Sequence, residues 1–422
     1  AFERGSAGSA EMMLVAGFSG IGKTAVVNEV HKPIVRQRAY FIKGKFDQFQ
    51  RNLPFSAFVQ AFRDLMGQLL SETDAKLEEW KLEILAALGD SAQAIVEVIP
   101  ELERIIGQQP PVPEISGSAA QNRFNMLFEK FIQVFTTQEH SLVIFLDDLQ
   151  WADLASLNLI KLLIGAADNR YLLLIGAYRD NEVFPAHPLM LTLAEIQKAE
   201  AKVNTITLAP LAQADLNCLV ADTLACSTAL ARPLTELVYQ KTQGNPFFST
   251  QFLKSFQVDG LIEFNFEARY WQCDIARVRT LALTDDVVEF MALQLRKLPT
   301  QTQSVLKLAA CIGNQFDLVT LAIVDENSPT ETATALWKAL QEGLILPVSD
   351  VYKFYQEGSN SLSITTTGEE SEQLPVKNDQ LAKYKFFHDR VQQAAYSLIP
   401  EEQKRSTHLK IGQRLLKNTP EV

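Results

Sequence analysis

The sequence predicts an α/β fold for its first half, a parallel sheet wound by helices on both faces, followed by a mainly helical second half. Two observations carry this. Five strand-sized runs, Met12–Ala16, Arg38–Lys43, Leu142–Asp147, Tyr171–Ala177 and Val203–Leu208, are apolar almost throughout, as parallel strands covered on both faces are. Helical stretches separate them, among them Phe55–Leu70 and Gln121–Thr136. In the second, Phe124, Leu127, Phe128, Phe131 and Phe135 recur at spacings of three and four and form one apolar stripe. Strand, helix, strand in succession is the unit of a doubly wound sheet with right-handed crossovers.

The elements then follow in order. A helical insert spans about 71–118 and becomes Pro- and Gly-rich at Pro110–Gly117, so the first domain is expected to cover 1–210. After Pro210 the character changes. Residues 211–283 read as short helices with a hairpin at Leu261–Cys273. Residues 284–400 read as helices containing Val305–Ile312, Leu318–Val324 and Thr332–Leu340. An apolar run Leu344–Val348 and a strand-like Val351–Tyr355 come next. Residues 358–378 are rich in Ser, Thr, Glu and Asn and read as a wing tip. Lys383–Phe387 reads as the return strand and His388–Leu398 as the closing helix, an arrangement like a winged helix. Residues 401–422 read as the start of a further helical region.

Composition sets the outer bounds. At 422 residues and roughly 150 per domain, two or three domains are expected. The hydrophobic share is 47% and the charged share 21%, values of a soluble globular chain. No run approaches the roughly 18 apolar residues of a membrane span. The net charge, 39 − 50 = −11, opposes nucleic acid and anionic lipid. Cys218, Cys226, Cys273 and Cys311 lack zinc or redox spacing, and read as buried free thiols of a reducing cytoplasm. Both ends, Ala1 and Val422, read as cuts in a longer polypeptide.

The strongest chemical signal is Gly17-Phe18-Ser19-Gly20-Ile21-Gly22-Lys23-Thr24, which fits GxxxxGK[ST] between a strand and a helix. Glycines let the backbone amides wrap phosphate oxygens, and the helix N-terminus adds its positive end. Gly17, Ser19, Gly20, Ile21, Gly22, Lys23, Thr24 and Ala25 are therefore the expected cradle for ATP or ADP. Lys23 is expected to reach the β- and γ-phosphates and the Thr24 hydroxyl to ligate Mg²⁺.

The second half of the site is Leu142-Val143-Ile144-Phe145-Leu146-Asp147-Asp148, a buried strand that delivers two acids to its C-terminal edge. Asp147 is the expected Mg²⁺ ligand, and Asp148 the residue that orients or deprotonates the attacking water. A cap for the helix near Asp153 is the competing role for Asp148. The separation of the two motifs leaves room for an extra strand, hence the strand order 5-1-4-3-2 of an α/β P-loop NTPase. Arg179, after the fourth strand in Tyr178-Arg179-Asp180, is placed to report the third phosphate, or to pair with Asp180 or Glu182.

Taken together, GFSGIGKT, LVIFLDDLQWAD, LIGAYRD, TQGNPFF and FFHDRVQQAAYSLI resemble the STAND class of AAA+-related ATPases. More narrowly, they resemble the ATPase module of multi-sensor kinases of cyanobacteria and other bacteria. The resemblance implies a nucleotide-controlled switch, closed with ADP and open, often oligomeric, with ATP. It also implies a preceding Ser/Thr kinase domain and following GAF and histidine kinase domains. By the same resemblance Arg179 is the sensor Arg, although Tyr178 replaces the usual Thr before it. Pro246 of Gly244-Asn245-Pro246 packs on adenine from a helical lid, or the three residues form only a helix–helix turn. His388 touches the ADP β-phosphate from a winged helix, or caps the helix that follows it. The adenine-proximal segment is expected upstream of Ala1.

The resulting expectation is an ATP-binding, slowly ATP-hydrolysing regulatory module. A scaffold that binds nucleotide without hydrolysing it is the second reading, and a transcriptional regulator the third. No kinase catalytic loop occurs in the sequence, so kinase activity would belong to other parts of a parent chain.

Overall fold

The computed structural model describes residues 1–36, 39–47, 53–113, 118–165, 169–199, 201–267, 269–280, 286–348 and 382–418. The chain divides into two compact units, Ala1–Pro210 and Leu211–Val422.

The N-terminal unit is built on five parallel strands: β1 (Ala10–Ala16), β2 (Tyr40–Lys45), β3 (Leu142–Asp147), β4 (Leu172–Tyr178) and β5 (Val203–Thr207). Their order across the sheet is β2-β3-β4-β1-β5, the order expected from the motif spacing. Burial explains the unbroken apolar runs. Leu142, Ile144 and Leu146 of β3 join one core with Phe62, Phe128 and Phe131. Val143 and Phe145 join a second with Val27 and Ile175. Successive side chains point to opposite faces, and both faces are covered.

The helices Ser56–Leu69 and Ser118–Val134 meet through their aromatic stripes. Phe62 lies edge-on to Phe128 at a centroid distance of 5.2 Å, and each fully buried ring is worth about 2 kcal/mol. The insert is helical at Asp74–Leu88.

Two strands differ from the sequence expectation. β2 runs on through Gly44 and Lys45, although Lys43 is exposed. An added Cβ at Gly44 would lie 1.8 Å from the Ala57 carbonyl oxygen, so the helix after β2 approaches its backbone directly. β5 is less covered than the other strands: residues 204–207 are exposed, and β5 pairs with β1 at one end of the sheet.

The C-terminal unit opens with the helices Gln213–Leu224, Thr228–Thr242 and Pro246–Val258. An antiparallel hairpin of β6 (Ile262–Asn265) and β7 (Tyr270–Cys273) follows. The helices Val287–Arg296, Thr300–Ile312, Leu318–Asp325 and Pro329–Gln341 come next. Ser328 and Glu331 form a reciprocal cap at the last of these.

A small antiparallel sheet joins β8 (Gln315–Asp317), β9 (Ile345–Pro347) and β10 (Lys383–Phe386) in the order β8-β10-β9. Helices Asp389–Ser397 and Glu401–Asn418 complete the unit. Val351–Tyr355 and the 358–378 segment lie outside the described residues. Phe252 stacks on Phe290 at 4.5 Å in a core that also holds Leu306, Leu336 and Tyr384.

The cysteines are free, but only Cys311 is buried and Cys218 is exposed, which corrects the expectation of four buried thiols. Burial pushes the Cys311 thiol up to about 11. Among the described residues no helix is long and apolar enough to cross a membrane.

Candidate functional site

The Gly17–Thr24 loop leaves β1 and enters the helix Lys23–Arg36. Gly17, Gly20 and Gly22 have φ of 146°, 77° and 103°, angles that L side chains rarely adopt. At Gly17 an added Cβ would also stand 2.9 Å from the Leu208 carbonyl oxygen. The loop is thus shaped by its own residue types.

Lys23 is 7% exposed. Its Nζ donates to the carbonyls of Gly17 at 2.7 Å and Phe18 at 2.9 Å. Burial pushes the ammonium below the usual lysine range, while Asp148 and Asp147 pull it back up. A buried cation of this kind favours a neighbouring polyanion.

Thr24 Oγ1 donates to Asp147 Oδ2 at 2.8 Å. The last residue of β3 thereby meets the first turn of the loop's helix, and a hydroxyl and a carboxylate oxygen lie together as a magnesium site needs. Asp147 Oδ1 accepts from the Asp148 amide at 3.0 Å.

Asp148 is left-handed, with φ of 56°, and its side chain is 5% exposed. Its Oδ2 lies 3.2 Å from Lys45 Nζ at the tip of β2. Its Oδ1 accepts from Gln150 Nε2 at 2.8 Å and lies 3.3 Å from Arg179 Nε. The cap at the helix Leu154–Gly165 is instead supplied by Asp153, whose Oδ1 accepts from the Ser156 amide at 2.9 Å.

Arg179 is a buried cation rather than a surface one, its side chain 2% exposed. Its Nη1 donates to Glu182 Oε1 at 2.7 Å, and its guanidinium lies over the Trp151 ring at 4.5 Å. Burial, with Asp180 second, pushes the neighbouring Tyr178 phenol up.

Three residues of this cluster escaped the sequence reading as site residues, Lys45, Gln150 and Trp151, while Glu182 is a partner it named for Arg179. Gln150 and Trp151 lie within the LQWAD string. Lys45 follows a run read as ending at Lys43.

Pro246 and His388 belong to the C-terminal unit, the loop and its acids to the N-terminal one. Pro246 opens its helix behind Asn245, whose Oδ1 accepts from the Phe248 amide at 3.1 Å. Gly244, at φ of 77°, accepts from the Leu211 amide at 2.9 Å. His388 caps the helix Asp389–Ser397, its Nδ1 accepting from the Arg390 amide at 3.1 Å. Its ring stacks on Phe247 at 4.0 Å.

The chain is 31% identical to hybrid signal transduction histidine kinase G of Dictyostelium discoideum, over 98% of this chain and 14% of that protein. It is 22% identical to peroxide stress-activated histidine kinase mak3 of Schizosaccharomyces pombe, over 81% of this chain and 16% of that protein. The chain thus spans about a seventh of the first relative's length.

Among solved structures, it is similar to a signal transduction ATPase with numerous domains (STAND) protein with a tetratricopeptide repeat sensor from Pyrococcus horikoshii. Identity is 13% and the TM-score 0.45, covering 98% of this chain and 44% of that one. Residues 1–175, which hold the loop and the acid strand, match the family model described as an AAA ATPase domain.

Proposed function

We propose that this chain is an ATP-binding and slowly ATP-hydrolysing regulatory module of a larger, cytoplasmic signal-transduction kinase. The observation that carries it is the Thr24–Asp147 contact beside Lys23. Phosphate cradle, cation and metal-binding pair come from the ends of β1 and β3, the two strands that flank β4 in the sheet. The histidine kinase relatives support the regulatory setting.

In this reading Lys23 exchanges its two loop carbonyls for β- and γ-phosphate oxygens. The amides of Gly20 to Ala25 hold the rest of the phosphate tail. Thr24 and Asp147 are the residues that would hold Mg²⁺, which supplies neutralising charge at the β/γ oxygens. Asp148 orients the attacking water, and Arg179 acts beside it. Pro246 and His388 are proposed nucleotide contacts of the C-terminal unit. Residues 211–283 act as a helical lid and 284–400 as a winged-helix-like domain, a reading supported by the β8-β10-β9 sheet with its helices. The net charge of −11 favours a module that works without nucleic acid. Assembly into a homo-oligomer would be nucleotide-dependent.

The test is phosphate release and nucleotide binding by Lys23→Ala. We expect both to be lost, and undiminished release would refute the assignment. A second reading, a scaffold that binds nucleotide but hydrolyses nothing alone, is favoured by the cations held against both oxygens of Asp148. It requires release that rises with protein concentration.

A further inference from the structure

We infer that Gln150 is a positioning residue, which fixes the Asp148 carboxylate against the tip of β4 through the two ends of one side-chain amide. The inference rests on Asp148 acting on water, as proposed above, and adds the residue that aims it.

The geometry is specific. Gln150 is 3% exposed. Its Nε2 donates to Asp148 Oδ1 at 2.8 Å, and its Oε1 accepts from the Arg179 amide at 3.0 Å. One bond reaches the residue after β3, the other the residue after β4. Only a group with a donor and an acceptor on one rigid plane does both at once. Asparagine is one methylene shorter, and glutamate supplies the acceptor but no donor.

The turn Leu149–Trp151 grips β4 on either side of this amide as well. Leu149 packs where Gly176 has no side chain, an added Cβ there lying 2.3 Å from Leu149 Cδ1. Trp151 takes the Arg179 guanidinium on its ring at 4.5 Å. Three consecutive side chains thus clamp one strand end. The middle one also holds an acid in a left-handed conformation (φ 56°), which is strained and needs outside support.

The position predicts a separable effect. In Gln150→Glu the Arg179 amide keeps its acceptor, while a carboxylate replaces the donor beside Asp148. Two acids then face each other where an amide donor met a carboxylate, so Asp148 loses the bond that aims it. In Gln150→Ala both bonds are lost and no acid is added.

The test uses the full 422-residue chain with MgATP, measuring kcat and KM, and MgADP affinity by calorimetry. We expect both variants to bind MgADP within about twofold of wild type, to keep KM, and to lose at least about tenfold in kcat near neutrality. Hydrogen exchange at the Arg179 amide should stay protected in Gln150→Glu, which keeps the acceptor, and speed up in Gln150→Ala. Unchanged kcat, affinity falling in step with kcat, or equal exchange in the two variants overturns the inference. Should wild type bind nucleotide yet release no phosphate, the hydrolysis reading fails by itself, and exchange at the Arg179 amide decides the inference alone.

Discussion

Replacing Arg179 by methionine keeps the volume of the stem and removes the charge. The guanidinium is enclosed by Asp148 Oδ1 at 3.3 Å, Glu182 Oε1 at 2.7 Å and the Trp151 ring at 4.5 Å. Removing one partner of a buried ion pair costs about 3–5 kcal/mol, because the other charge stays buried. Asp148 keeps Lys45 and Gln150, which places the loss at the lower end, about 3 kcal/mol. In a unit of about 200 residues each kcal/mol moves the thermal midpoint by about 2–4 °C, so a fall of about 6–12 °C is expected. Differential scanning calorimetry without nucleotide reads it directly. The comparison Glu182→Gln should cost less, since Glu182 is 28% exposed and solvent screens it. An Arg179 poised only for phosphate would leave the nucleotide-free midpoint unmoved and reduce only the stabilisation by MgATP. A midpoint within about 2 °C of wild type would therefore refute the structural role assigned to this cation.

Two further predictions concern stability. Glu11 is fully buried and accepts from Arg4 Nε and Nη2 at 2.7 and 2.8 Å. These hydrogen bonds hold its carboxyl below the usual glutamate value of 4.5, against the opposing effect of burial. A depressed folded-state value means that its contribution is complete above that pH and lost as pH falls through the folded-state value. Glu11→Gln should therefore flatten the acid side of stability against pH in urea titrations, and parallel curves would contradict it. Gly244→Ala places a Cβ 2.1 Å from the Leu211 carbonyl oxygen at a φ of +77°. It should cost at least about 2 kcal/mol and speed hydrogen exchange at the Leu211 amide, which now donates to Gly244. Unchanged exchange there would show that the turn absorbs the methyl.

Much of the N-terminal unit was legible because its signals are contiguous. A glycine-rich string dictates its own left-handed backbone. An apolar run ending in Asp147 and Asp148 can only be a buried strand that carries acids to its tip. The spacing between the two motifs also foretold the strand order, since it leaves room for an extra strand with its crossovers, which is β2. The edges of elements were less legible. β8 has three residues, too few for a period, and β5 reads as a covered strand although Asn204, Thr205 and Thr207 lie exposed on it.

The grip on Asp148 lay wholly beyond the linear text. Lys45, Gln150 and Arg179 come from β2, from the turn after β3 and from the end of β4. Their charges and amide meet only because the sheet sets those ends side by side. Sequence alone determined the phosphate loop and the acid strand, whose conformations follow from local residue types. Tertiary structure decided which cations and which amide hold the second acid, because pairing between strand tips depends on sheet order and not on distance along the chain.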